Sequence, residues 1–224
     1  MKIVKIFQGY VRLVDIMGND FTPVERARVS YGAGLKGKKQ DEKLLRYLYK
    51  NGHLSPLEGV VLEWELKIPL FVARQLMRYR IASFNEISGR YTDKGKNEFY
   101  MPAHYRTDTL SDKQQSKIVD DKYKYTQMTN ILTEVYKTIE ENYNKLRKLG
   151  VAKELARTIQ PVGQYTSLRM TINLRNLLHM FYQRLDEHAQ YETRMIVQQM
   201  HDITKEVLPL NIQIFDDMKE KINF

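Results

Sequence analysis

The chain of 224 residues contains no cysteine. That absence excludes disulfides, thiolate metal sites, iron–sulfur clusters and cysteine nucleophiles together. No apolar run approaches the roughly 18 residues that a membrane helix needs, and the start MKIVKIFQGYVRLVD alternates with charges instead of forming a signal-like apolar region. No membrane partner is expected, and the location is expected to be cytoplasmic. Five histidines (His53, His104, His179, His188 and His201) lack HxH or HExxH spacing, so no metal site is expected. Internal repeats, linkers and low-complexity segments are also missing. What is present suits a soluble domain with a sizeable core: 42% hydrophobic and 28% charged residues. One domain over 1–224 is expected. The 36 Lys+Arg against 27 Asp+Glu give a net charge of +9 and point to an anionic partner.

Two β-rich stretches, 3–7 and 10–16, flank Gln8-Gly9 and predict a strand pair joined by a tight turn. Thr22-Pro23-Val24-Glu25 has the form of a capping box, predicting a helix from about Pro23 to Tyr31, and Asp41 is expected to open a second helix ending near Gly52. Ser55-Pro56-Leu57-Glu58 repeats the capping pattern but runs into the alternating VVLEWELKI, so one helical turn followed by a strand is expected. Pro69 then starts the helix PLFVARQLMRY, on which Arg74, Gln75 and Arg78 share a face. Residues 81–95 read as an ordered loop and 112–149 as one long helix. A short helix at 152–160, a strand at 164–172, and helices at about 174–184 and 187–207 before Pro209 complete the reading.

Arginine is the strongest local signal. Four of the 15 arginines (Arg74, Arg78, Arg80 and Arg90) fall within 17 residues, and no lysine lies between Lys67 and Lys94. Guanidinium groups make planar two-point contacts with phosphate where an ammonium acts as a point charge, so this window looks built to grip phosphate. A solvated basic face is the ordinary alternative. A nucleic-acid module would need an aromatic and basic stripe or a named motif, and the 24 aromatic residues form neither.

The segment from Arg78 to Tyr91, RYRIASFNEISGRY, resembles the RHRxxSxNExSxRY signature of the flavin-dependent thymidylate synthases at every specified position except the second, where Tyr79 replaces histidine. The resemblance extends through DxMGND, ARVS, GHxSPLE, FVARQ, LARxxQP and RLDEHAQYE, covering nearly the whole chain. The lack of cysteine agrees with it, because the unrelated classical thymidylate synthases attack the uracil with a thiolate. The resemblance implies an α+β fold, with a small antiparallel or mixed sheet packed with helices and long helices in the C-terminal half, assembled as a homotetramer. It also implies FAD-dependent methylation of dUMP to dTMP, using methylenetetrahydrofolate and a reduced nicotinamide (NADPH or NADH). An enzyme acting on another pyrimidine nucleotide, or an inactive flavin-binding paralogue, is the alternative that Tyr79 keeps open.

By position, the resemblance assigns dUMP binding to Gln75, Leu76, Met77, Arg78, Glu86, Ile87, Ser88, Gly89, Arg90, Arg157 and Arg184. It assigns FAD contacts to Ser55, Arg78, Tyr79, Arg80, Glu86, Asn173, Leu174, Arg175 and His179. Arg184 is the expected catalytic group, since a guanidinium against N3 and a neighbouring carbonyl favours the ionised uracil. Its ordinary alternative is a surface ion pair with Asp186 or Glu187. Tyr79 is expected to act as an aromatic binding platform, and His188 and Glu192 as interface hydrogen-bonding groups.

Overall fold

The computed structural model describes residues 3–92, 98–109 and 116–222. β1 (Ile3–Ile6) and β2 (Gly9–Met17) form the antiparallel pair that the alternation predicts. α1 (Thr22–Arg28) is capped differently from its sequence signature. Phe21 is the N-cap, and the Thr22 hydroxyl accepts from the Asn19 N–H at 3.0 Å, closing the turn ahead of the helix. α2 (Lys38–Lys50) begins before Asp41. The Asp41 carboxylate turns back to accept from the Gly37 N–H at 3.0 Å and to pair with Arg28 at 2.6 Å.

After the expected short helical turn at Ser55–Gly59 come β3 (Val61–Pro69) and α3 (Leu70–Leu76). Pro69 ends the strand and is the N-cap of α3, which stops at Leu76, so Arg78 and Tyr79 lie beyond the helix. The expected loop at 81–95 contains β4 (Ser83–Glu86), and its last three residues lie outside the described residues. β5 (Arg106–Asp108) pairs with β6 (Ser116–Ile118), which shortens the helix expected over 112–149. That helix, α4 (Lys122–Lys148), starts where the Asp121 carboxylate accepts from the Lys124 N–H at 2.9 Å; positions 112–115 lie outside the described residues.

α5 (Lys153–Ala156), β7 (Tyr165–Asn173), α6 (Leu174–Arg184) and α7 (Tyr191–Val207) follow. α7 begins four residues later than the expected 187, after a turn in which the Asp186 carboxylate accepts from the His188 N–H at 2.8 Å. Pro209 does not end the helical region: it begins α8 (Pro209–Met218), whose free N–H groups at Leu210 and Asn211 are met by the Asp20 carboxylate at 3.2 and 2.9 Å.

The main sheet runs β1-β2-β3-β7-β4 and every pairing in it is antiparallel, giving the α+β class expected. One face carries Val11, Leu13, Leu62, Trp64, Leu66, Leu168, Met170 and Ile172, all buried against residues of α6, α7 and α8. The other face is a charged lattice, with Arg12 paired to Glu65, and Arg169 reaching Glu63 and Glu65 at 3.0 Å each. Gly9 lets β2 start hard against β3, because a Cβ there would stand 2.0 Å from the Lys67 carbonyl oxygen. α4 packs differently from the rest: of its residues only Tyr143 is buried, while Ile131 and Val135 are exposed.

Candidate active site

The end of β4 and the turn before β7 enclose a cleft of roughly 660 Å³. The Leu70 and Phe71 N–H groups at the start of α3 donate to the Gln164 and Val162 carbonyls at 2.8 and 3.0 Å, docking that turn against the helix. Arg74 on α3 thereby faces the same space as Glu86, Ile87, Ser88, Gly89, Arg157 and Gln160. Arg157 lies along Gly89, where an added Cβ would meet its Cδ at 3.4 Å. Arg74 and Arg157 have no carboxylate partner among the described residues, whereas Arg90 at the rim is held by Glu154 at 3.1 Å. Glu86 accepts from the Thr166 hydroxyl at 2.6 Å, and Ser88 Oγ accepts from the Arg90 N–H at 3.2 Å. Among the described residues, two guanidiniums without an ion-pair partner thus stand beside Ser88 and Gly89, an arrangement able to meet an anion at two points.

Arg74 belongs to the arginine window read as gripping phosphate but carries no individual role in the sequence reading, and Gln160 carries none either. Gln160 presents a side-chain amide whose nitrogen and oxygen are both buried and unpartnered among the described residues. The LARxxQP element contains it, but an amide before a proline has no chemical signature of its own.

Arg184 stands in a second cluster. As the last residue of α6 its cation sits favourably at the negative end of the helix. Its Nε donates to the Tyr79 hydroxyl at 3.0 Å, and the guanidinium lies 5.6 Å from the Tyr79 ring centroid. The Tyr79 hydroxyl donates in turn to Gln183 Oε1 at 2.8 Å, and Gln183 Nε2 meets His179 Nε2 at 2.9 Å. Desolvation, with the Arg175 charge adding to it, holds the His179 pKa below its ordinary value. Burial raises the Tyr79 pKa despite Arg184 beside it, so the phenol stays neutral. The ion pair with Asp186 or Glu187 is not formed among the described residues; Asp186 instead engages His188. Glu192, read together with His188, is buried apart from it and accepts from the Tyr100 hydroxyl at 2.7 Å.

The other expected site residues divide by surroundings. Gln75 turns toward α7, its amide bonded to Gln190 and accepting from the Thr193 hydroxyl at 3.0 Å. Leu76 and Leu174 have no exposed surface, so their side chains belong to the core, and Met77 packs against it. Asn173 caps α6 by accepting from the Asn176 N–H at 3.0 Å, and Arg175 is held by Glu58 at 2.6 Å. Ser55, Arg78 and Arg80 are exposed, and neither arginine meets a carboxylate among the described residues. Cations left open in this way fit the pyrophosphate of a dinucleotide such as a flavin.

Open guanidiniums beside small polar groups are the chemistry that suits an anion such as a phosphate. A family model described as "Thymidylate synthase complementing protein" matches residues 12–210. A flavin-dependent thymidylate synthase of Kosmotoga olearia is 40% identical over 215 residues, covering 96% of this chain and 93% of that protein. One from Thermosipho africanus is 40% identical over 208 residues, covering 93% and 91%. A crystal structure of a UMP/dUMP methylase from Streptomyces cacaoi, bound with 5-bromo-dUMP, superposes with a TM-score of 0.85 at 30% identity, covering 94% of this chain and 95% of that one. The chain belongs to the flavin-dependent thymidylate synthase family.

Proposed function

We propose that the protein converts dUMP to dTMP with FAD as cofactor, methylenetetrahydrofolate as one-carbon donor and NADPH or NADH as reductant. The observation that carries this reading is the cleft in which Arg74 and Arg157 face Ser88 and Gly89 with no carboxylate to neutralise them among the described residues. These groups hold the phosphate, and Arg184 polarises the uracil by donating to its imide edge. Arg78 and Arg80 answer the flavin pyrophosphate, with Ser55 and His179 as polar neighbours. Bound FAD supplies hydride chemistry, and no protein nucleophile is needed. Family membership and the two relatives named as flavin-dependent thymidylate synthases support the flavin assignment.

A second reading has its own support: the Streptomyces cacaoi methylase is named for both UMP and dUMP. Anaerobic incubation of the reduced enzyme with methylenetetrahydrofolate and either dUMP or UMP, followed by identification of the nucleotide, decides between them. dTMP formed only when FAD, the folate and reductant are all present is the expected result.

We also propose a homotetramer of a single domain working in the cytoplasm. α4 buries Tyr143 but leaves Ile131 and Val135 exposed, and covering these two against another copy of the chain would remove that apolar surface from water. Light scattering of the eluting protein tests the assembly. Among the described residues, no helix is long and apolar enough to cross a membrane.

A further inference from the structure

Tyr79 stands where the family signature has histidine, and its surroundings give it a role other than a flat surface for stacking. Its oxygen has one proton and accepts one bond. Arg184 Nε can only donate, so the phenolic oxygen accepts there, and its own proton goes to Gln183 Oε1. That fixes the Gln183 amide with its NH2 group toward His179 Nε2, which therefore accepts. The chain of bonds runs in one direction, Arg184 to Tyr79 to Gln183 to His179, and the Tyr79 ring backs the guanidinium.

A guanidinium can meet a planar partner through its two terminal nitrogens, or sideways through Nε and one of them. With Nε engaged, the sideways mode is closed. The terminal nitrogens, which have no protein partner among the described residues, form the single fork that remains. We propose that Tyr79 is a positioning residue: its hydroxyl holds Arg184 so that the end-on fork, and only that fork, is presented to the pyrimidine. The inference rests on the assignment of Arg184 to the base.

The test is a double-mutant cycle of Tyr79→Phe and Arg184→Lys, read in kcat for dTMP formation and in the Kd for dUMP by calorimetry. Lysine removes Nε and the fork together, so a residue acting through Arg184 has nothing left to act on. Tyr79→Phe should lower kcat about ten-fold and weaken dUMP binding by a smaller factor, with FAD content unchanged. In the Arg184→Lys background the same change should alter either quantity less than about two-fold. Tyr79→His, which restores an acceptor at the ring edge, should recover most of the loss. Independent losses in the double mutant, loss of FAD in Tyr79→Phe, or a gain of activity in Tyr79→Phe would each overturn the proposal. A wild type that binds dUMP without forming dTMP would defeat the functional reading alone, leaving coupling in Kd to decide the role of Tyr79. A wild type that binds neither dUMP nor UMP would overturn both.

Discussion

On the polar face of the sheet Arg12 and Arg169 are held by carboxylates of β3, whereas in the cleft beyond β4 Arg74 and Arg157 meet none among the described residues. The two regions are neighbours in the fold and use the same side chain. On the sheet, each guanidinium has its counter-charge built in opposite it across the ladder, so the lattice serves cohesion and attracts little from solution. In the cleft the carboxylates are turned elsewhere, Glu86 to Thr166 and Glu154 to Arg90, so that among the described residues Arg74 and Arg157 are left without an ion-pair partner beside Ser88 and Gly89. The presence or absence of the opposing carboxylate, more than the count of basic residues, separates a structural arginine from a binding one.

Four measurements can break or sharpen that contrast. The largest effect belongs to Arg28–Asp41, the most enclosed ion pair among the described residues, whose side chains are only 8% and 3% exposed. Asp41→Ala strands a buried cation and should lower unfolding stability by about 3–5 kcal/mol in urea titration. Arg157→Ala should do the opposite, raising the KM for the nucleotide roughly 10- to 100-fold while leaving stability within about 0.5 kcal/mol; a large loss of stability would mean that Arg157 is structural after all.

Glu65 comes third. The Tyr10 hydroxyl donating to it, helped by Arg12 and Arg169, holds its carboxyl below its ordinary value of 4.5. The unfolded chain therefore binds the proton more readily, and the stabilisation is complete above pH 4.5 and is lost as the pH falls through the lower folded value. Glu65→Gln should cost about 1 kcal/mol at pH 7, flatten the acid limb of the stability curve, and leave KM for the nucleotide unchanged. The smallest effect is that of salt. Raising ionic strength from about 0.05 to 0.3 M should increase that KM a few-fold, since the open arginines act through solvent, with little change in melting temperature. A melting temperature that falls as steeply as KM rises would erase the distinction between the two regions.

How legible these features are in the sequence depends on where their causes lie. β3 was readable because Leu62, Trp64, Leu66 and Ile68 alternate with charged residues, and alternation is a property of the segment itself. β4 was not: Ser83-Phe84-Asn85-Glu86 carries little strand preference, and its conformation is imposed by pairing with β7. α7 ends at Val207, before Pro209, as expected, but α8 beyond it was not readable, because the groups that cap it belong to Asp20 near the other end of the chain. In the candidate site, the gathering of arginines and small polar residues was legible as a cluster in the sequence, and the fold brings Arg74, Ser88 and Gly89 to one cleft. The expected helix face shared by Gln75 and Arg78 does not form, because α3 ends between them and the Gln75 amide turns to Gln190 and Thr193. Whether Arg184 pairs with Asp186 or with Tyr79 is settled by the fold of residues far apart in sequence, and no local spacing encodes it.

β4 is the last strand of the sheet and is only four residues long. Sheet margins invite other chains to add themselves, and long flat ones are hazards for aggregation. Here the margin is too short to template a neighbour, and the chain leaves it at once: the Ile87 N–H still bonds the Ser167 carbonyl at 2.9 Å, while Ser88 is already part of a turn whose oxygens take the N–H groups of Arg90, Tyr91 and Thr92. The sheet can therefore stop beside open water without recruiting a further strand. That termination leaves an open cleft of roughly 660 Å³ at the border of the sheet, where a longer β4 would instead present a further stretch of unpaired backbone.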